Sequence, residues 1–298
     1  SVTVNAAYAT TYTFQGTGSF AGTGSLNDIG PEELILNNAN TYSGGTLISN
    51  AEAYVVLKNY AGMGTGPVTL AKAGGIWEAT TTGSSTAGIA GDVNVLDDFK
   101  IQFDGTGSYA GVFLGDLTGN IGKTLTLNQP DDTTTNRYRA YGANTVYAGN
   151  LVLNGAATSQ ANYVGTTLAP YTGGTQIYNG VISGNGGIVQ RGGGLTVLAG
   201  ANTYAGGTTP TTGTIGFGSD STGNVDSGPI GTGALFIAPE LPNTSGSGTV
   251  LAYGGARTIA NPLQYPSGTN NQTLIVGGTN DLTFSGPVTL NGLDGVTY

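Results

Sequence analysis

Apolar residues in this chain follow a two-residue spacing only over very short stretches. Four of these stretches set two large apolar residues two positions apart and then close with Asn: Leu34 to Asn37, Leu125 to Asn128, Leu151 to Asn154 and Val288 to Asn291. Successive residues of a strand point to opposite faces, so this spacing predicts short β-strands with one buried face. Asn-Gly follows at 154 and 291 and predicts an immediate turn.

Longer sequence words recur along the chain. Asn40-Thr-Tyr-Ser-Gly-Gly-Thr46 returns as Asn202-Thr-Tyr-Ala-Gly-Gly-Thr208, and the shorter copy Tyr171-Thr-Gly-Gly-Thr175 lies between them. Downstream, the segment 63–70 parallels 230–237, and the word at 14–22 parallels the one at 103–111. The glycine pairs of the YxGGT word are predicted backbone corners: Gly44, Gly45, Gly173, Gly174, Gly206 and Gly207.

Many short strands joined by Gly-rich turns, in units of roughly 20 to 35 residues, are typical of a β-solenoid, in which each coil covers the apolar row of the next. We therefore predict an all-β fold with a single parallel β-solenoid domain over residues 1–298 and no capping helices. The clearest repeat units cover about 12–72 and 165–238, and the stretch 73–164 is irregular.

Composition supports this fold and excludes most catalytic chemistry. The 298 residues include 54 Gly, no His and no Cys, so there is no imidazole base, no thiol nucleophile and no zinc or iron–sulfur site of the usual kinds. Only 8 Lys and Arg stand against 17 Asp and Glu, and this net charge of −9 argues against a nucleic-acid partner. No apolar run approaches the length of a transmembrane helix. We expect no enzymatic activity and no cofactor.

The YxGGT words, together with the segment 187–204 before the second copy and the GTGxLxL pattern after it, resemble the autotransporter-associated β-strand repeat, also called the passenger-associated transport repeat, of bacterial surface proteins. The resemblance implies a parallel β-solenoid, export, and a role outside the cell or on the bacterial surface. It implies no catalytic residues.

Tyr42, Tyr171 and Tyr204 occupy equivalent positions in the three copies. They would stack along the rod if their coils were neighbours, as internal packing or as a platform for surface glycans. Packing is the favoured interpretation.

Acidic pairs occur at Glu32/Glu33, Asp97/Asp98 and Asp131/Asp132. Adjacent side chains of a strand point to opposite faces, so the two carboxylates of each pair do not converge on one point. We therefore interpret them as turn or rim charges rather than as an acid–base pair. Arg137 and Arg139 near Asp131 and Asp132 leave a carbohydrate-active β-helix enzyme as an alternative. Ca²⁺ binding is a further alternative, although Gly277 to Leu282 only half imitates a calcium-binding nonapeptide.

The two ends of the chain carry alternating strand patterns and no charged outer coil. Because a solenoid end exposes unpaired backbone, we predict that copies join head to tail into a homopolymer, by stacking or by strand exchange. The predicted interface consists of Ser1, Val2, Thr3, Val4, Val288, Thr289, Leu290 and Val296. A monomeric adhesin or passenger stalk is the alternative.

Overall fold

The structure, a computed structural model, describes residues 1–78, 88–103, 112–128, 138–155, 166–237, 247–265 and 273–290. Strands dominate these residues, and the one helix among them is a short 3₁₀ turn at Tyr60–Met63. The prediction of an all-β solenoid is therefore confirmed.

The strands of the described residues are short, and none exceeds six residues. In chain order they are β1 Val2–Val4, β2 Thr11–Phe14, β3 Leu26–Asp28, β4 Glu33–Leu36, β5 Thr46–Ile48, β6 Tyr54–Leu57, β7 Val68–Leu70, β8 Gly74–Glu78, β9 Val93–Val95, β10 Phe99–Phe103, β11 Val112–Phe113, β12 Leu117–Gly119, β13 Thr124–Asn128, β14 Arg139–Ala140, β15 Val146–Tyr147, β16 Asn150–Asn154, β17 Thr166–Leu168, β18 Thr175–Tyr178, β19 Ile182–Gly184, β20 Ile188–Gln190, β21 Leu195–Leu198, β22 Thr208–Pro210, β23 Thr214–Phe217, β24 Leu235–Phe236, β25 Ser247–Ala252, β26 Arg257–Ile259, β27 Leu263–Tyr265, β28 Thr273–Gly277, β29 Leu282–Phe284 and β30 Val288–Leu290.

These strands stack in parallel on three faces, and each circuit of the chain contributes strands to two or three of them. The first face has the strand orders β1-β3-β5-β7-β9-β12 and β15-β18-β21-β23-β25-β28. The second face runs β2-β4-β6-β8-β10-β13-β16-β19 and resumes with β26-β29, and the third runs β11-β14-β17-β20-β22-β24-β27-β30. We call one circuit of the three faces a coil.

Coil length varies while the strand register is kept. Leu195 pairs with Thr214, 19 residues on, whereas Thr214 pairs with Thr249, 35 residues on. In the stretch 73–164, which the sequence marks as irregular, β8, β10, β13 and β16 pair consecutively on the second face. The coils therefore continue through this stretch, and the variation lies between the strands.

The core consists of columns of inward side chains that stack from coil to coil. On the second face one column is fully buried and apolar; its members are Leu34, Val55, Ile76, Ile101, Leu127 and Leu153. β13 and β16 alternate buried and half-buried residues, as their sequence pattern predicts. A fully buried aliphatic side chain contributes about 1.5–3 kcal/mol, so stability comes from such stacked columns rather than from any single coil.

Candidate functional site

The YxGGT word forms the same corner in both long copies, and we call residues 40–46 and 202–208 the corner motif. The hydroxyls of Tyr42 and Thr46 lie 2.6 Å apart, and those of Tyr204 and Thr208 lie 2.5 Å apart. All four side chains are buried. Burial raises the pKa of Tyr42 to about 12 and raises that of Tyr204 as well, so both phenols stay protonated.

The asparagine that opens each motif ties three coils together. Asn40 accepts from the Phe20 amide at 3.0 Å and donates to the Gly62 carbonyl at 2.8 Å. Asn202 makes the equivalent pair of bonds to Ile182 N and Pro229 O, at 2.8 and 2.7 Å. The side chain therefore satisfies backbone groups of the preceding and following coils.

The two motifs lie at different corners of the solenoid. Thr46 begins β5 on the first face, whereas Thr208 begins β22 on the third. Tyr171 lacks the buried tyrosine–threonine contact: its side chain is 50% exposed and its ring stacks on Tyr141 at 5.7 Å. The three tyrosines therefore form no common column. Tyr42 and Tyr204 serve internal packing and cannot be a glycan platform.

The second glycine of each glycine pair has positive φ in both corner motifs. Gly45 has φ 90° and Gly207 has φ 78°. A Cβ at Gly45 would come 2.6 Å from the Pro67 carbonyl, and a Cβ at Gly44 would meet the Thr23 and Gly24 carbonyls at 2.5 Å. Backbone conformation and the close approach of adjacent coils therefore both require glycine here. In the short copy it is instead the first glycine of the pair, Gly173, that has positive φ, at 84°.

Asp28 and Glu32 form a buried carboxyl pair beside the first coil. Asp28 occupies a core column between Val4 and Ile48, and both carboxyl side chains are fully buried. Glu32 Oε2 accepts from Ala6 N at 3.0 Å, while within the described part of the chain the Asp28 oxygens have no hydrogen-bond partner. Burial, reinforced by the nearby Glu32 carboxylate, raises the pKa of Asp28 to about 7.

Glu32 is therefore not a solvated rim charge, although it lies in a bend of the chain and although Glu32 and Glu33 do diverge as expected. Glu33 turns outward and accepts from the Thr11 hydroxyl at 2.9 Å. Asp28 was not singled out from the sequence. Its signal is its place two residues after Leu26 in a strand, which is an inward position.

The other charged candidates do not assemble a reaction centre within the described residues. Asp97 pairs with Lys123, which lowers the pKa of Asp97, and Asp98 Oδ1 accepts from Thr124 N at 2.8 Å. These contacts join neighbouring coils. Arg139 Nη1 donates to the Tyr141 hydroxyl at 3.0 Å. Asp131, Asp132 and Arg137 lie outside the described residues.

Metal ligands are not clustered in the part of the chain that the structure describes, which holds no group of three or more His, Cys, Asp or Glu suited to an ion. In the half-nonapeptide at 277–282, Asn280 donates to the Ala252 carbonyl at 3.2 Å. The contact is again between coils.

The first coil leaves one strand edge open. Among the described strands, β1 pairs only with β3. Val2, Thr3 and Val4 of β1, with Ser1 before them, begin the first face. A recess of about 100 Å³ opens there between Val2, Phe20, Leu26 and Tyr42. It is roughly three times the volume that one water takes in the liquid, which is room for a small apolar side chain.

The last described coil exposes apolar residues. Val276 is 56% exposed, Val288 57% and Leu290 36%, and Thr289 between the last two is also exposed. β30 pairs only with β27 among the described strands. Val296, the remaining residue of the predicted interface, lies outside the described residues.

A groove crosses the outer side of the second face. Tyr54, Gly75 and Lys100 are consecutive partners in the register, and Trp77 and Gln102 form the neighbouring outward column. The rings of Tyr54 and Trp77 meet edge to face, with centroids 5.8 Å apart. One depression of about 520 Å³ lies around these residues, and a second of about 560 Å³ continues past Glu33 to Tyr8.

The sequence pattern alone does not indicate this groove. Its residues come from five coils whose lengths differ, so their lateral alignment depends on a register that the sequence alone does not provide. The available signal is the single Trp of the chain, Trp77, two residues after the Gly74–Gly75 pair.

Comparisons with protein-family models, curated proteins and solved structures find no match to this chain. Among the described residues, no helix is both long and apolar enough to cross a membrane.

Proposed function

We propose that this protein is a structural component of an extracellular or cell-surface assembly, in which copies join end to end. The observation that carries the proposal is the pair of exposed surfaces on the first and the last described coils. One end presents the open edge of β1 beside an apolar recess, and the other presents Val276, Val288 and Leu290. An unpaired strand edge is a template for pairing with another chain.

The recess on the first coil and the exposed apolar side chains of the last described coil match each other in chemistry. The recess between Val2 and Phe20 is of a size to receive an apolar side chain such as Val288 from the next copy. The contact joins two different surfaces and does not close on itself, so repetition produces a filament. Parallel pairing at the joint would continue the spacing of about 4.8 Å between strands.

The composition of the chain and its repeated words support the proposal that it lies outside the cell or on the cell surface. A charged fraction of 8% with a net charge of −9 leaves Thr, Ser, Asn and Gly to form the surface. Resemblance of the corner motif to the autotransporter-associated repeat favours an exported protein. We propose that the chain works outside the cell, as a scaffold rather than as an enzyme.

Assembly is tested by sedimentation velocity and negative-stain electron microscopy of the full chain over a range of concentrations. The expected result is a concentration-dependent series of rods that lengthen by one subunit at a time. Val288→Lys should abolish the series, because it places a charge at the joint. Ile121→Lys is the matched control, since Ile121 is 86% exposed on a turn away from both ends.

A second variant tests strand pairing at β1. Val2 N donates to Ser25 O, so the amide of Thr3 points to the open edge. Thr3→Pro removes that donor without removing a bond to β3, whereas Thr3→Val keeps it. Assembly that persists in both Thr3→Pro and Val288→Lys would refute the proposal. A wild-type monomer at every concentration would favour the passenger stalk.

A further inference from the structure

We infer that the groove on the second face is a binding site for a neutral oligosaccharide. The site is defined by Tyr54, Trp77, Gly75, Glu52, Lys100 and Gln102. These six residues lie on or beside β6, β8 and β10, on the side of the rod, so the inference holds for the free subunit and for an assembled filament alike.

The floor of the groove is a gap in an outward column of side chains. Gly75 lies between Tyr54 and Lys100 in the register and contributes no side chain. A Cβ built at Gly75 would meet nothing closer than the Lys100 carbonyl at 3.6 Å. The space is therefore open, and neither a steric clash nor a positive φ requires glycine at this position. The fold would therefore accept a side chain at position 75, and the gap in the outer surface is not needed for folding.

One wall of this gap is aromatic. The edge-to-face contact of Tyr54 and Trp77 holds both rings in place, and Tyr54 remains 36% exposed. Fixed aromatic rings offer a flat apolar surface at low entropic cost. The apolar C–H face of a pyranose ring is a ligand surface of matching shape.

Polar groups line the two ends of the same groove. Glu33 and Glu52 lie on the side towards β2, and Lys100 and Gln102 lie on the side towards β10. Carboxylates accept hydrogen bonds, the ammonium donates them and the amide does both, so sugar hydroxyls find both kinds of partner. Ligand sites generally combine an apolar surface with a few such groups.

The length and charge of the groove select the ligand class. The two depressions share Glu52 and Tyr54 and extend from β2 to β10, which is four strand spacings or about 19 Å. This is the shape of an extended chain rather than of a single ring. Two glutamates and the net charge of −9 oppose a polyanion, while Lys100 in the groove opposes a cation. A neutral oligosaccharide satisfies both limits.

The test uses the intrinsic fluorescence of Trp77, which reports on this groove alone because it is the only Trp in the chain. The probes are cellotetraose and chitotetraose as neutral chains and tetragalacturonate as an acidic one, each titrated to about 10 mM. We expect at least one neutral chain to shift the emission with saturation, and the acidic chain to bind more weakly.

Gly75→Thr fills the gap with a residue that suits a strand, and Tyr54→Ala removes half of the aromatic wall. Each should weaken binding at least about tenfold, equal to about 1.4 kcal/mol. Tyr253→Ala is the matched control, because Tyr253 is 37% exposed outside the groove, and it should bind like the wild type. Circular dichroism confirms that each variant folds.

Three outcomes would overturn the inference. The first is no saturable response to either neutral chain. The second is tighter binding of tetragalacturonate than of the neutral chains. The third is unchanged affinity in folded Gly75→Thr and Tyr54→Ala.

Discussion

Replacement of Asp28 by Asn should change how the stability of the protein depends on pH. Asp28 lies in an apolar column between Val4 and Ile48, and its pKa is raised from 3.8 to about 7. Below the unfolded value, the carboxyl is protonated in both states. As the pH rises from about 4 to about 7, the unfolded chain releases this proton while the folded chain retains it, so the folded state loses stability.

The size of the effect follows from the shift. One pKa unit corresponds to 1.36 kcal/mol, so the whole shift is worth about 4 kcal/mol, of which about 2 to 3 kcal/mol falls between pH 5 and pH 8. Opening of the first coil alone could expose the pair, which makes this an upper bound. Asp28→Asn keeps the shape of the side chain, removes the titrating proton and provides an amide that can donate to Glu32.

The assay is guanidinium unfolding followed by circular dichroism at about pH 5 and about pH 8, with hydrogen exchange of the β1 amides as a local measure. The wild type should be less stable at the higher pH, and Asp28→Asn should lose most of that dependence. Asp226→Asn, at an exposed carboxyl, is the isosteric control. Equal pH dependence in the wild type and Asp28→Asn would refute the reasoning.

Three further comparisons of variants test the corners and the core by the same unfolding assay. Gly45→Ala should lower the free energy of unfolding by at least about 1 kcal/mol more than Gly122→Ala. Both glycines have positive φ, but only a Cβ at Gly45 meets another coil. Equal losses in the two variants would contradict this prediction. Tyr42→Phe and Tyr204→Phe should each lower the free energy of unfolding by about 1 kcal/mol, because the contact between the tyrosine and threonine hydroxyls is lost. Different losses in the two variants would mean that the two corners are not equivalent. Ile101→Ala should cost about 2–5 kcal/mol and the exposed Ile121→Ala less than about 0.5 kcal/mol, so a small effect at Ile101 would argue against the stacked column.

The sequence predicts the local parts of this fold well, because they depend on neighbouring residues. Strands such as Thr124–Asn128 follow from two-residue spacing, and the corner at Gly45 follows from a repeated word. The position of a motif around the solenoid depends instead on every coil length before it. Tyr42 and Tyr204 share a word and a local structure, yet their motifs end on different faces, which no comparison of the words could show.

The candidate sites were harder to predict for two physical reasons. Asp28 looks like an ordinary acidic residue in the sequence, and only its inward-facing position in a short strand marks it as buried. Tyr54 and Trp77 are 23 positions apart and meet because one coil brings them together. Both features come from stacking between coils, which local patterns describe only in part.

The presence of one corner motif at two different corners constrains how the gene can rearrange. A crossover between the gene segments that encode residues 40–46 and 202–208 would delete or duplicate a stretch that does not span a whole number of coils. The reason is that the first motif leads into the first face and the second into the third. Every strand downstream of the crossover would then start on the wrong face. Viable length variants of this rod should therefore arise by exchange between copies that lie at the same corner.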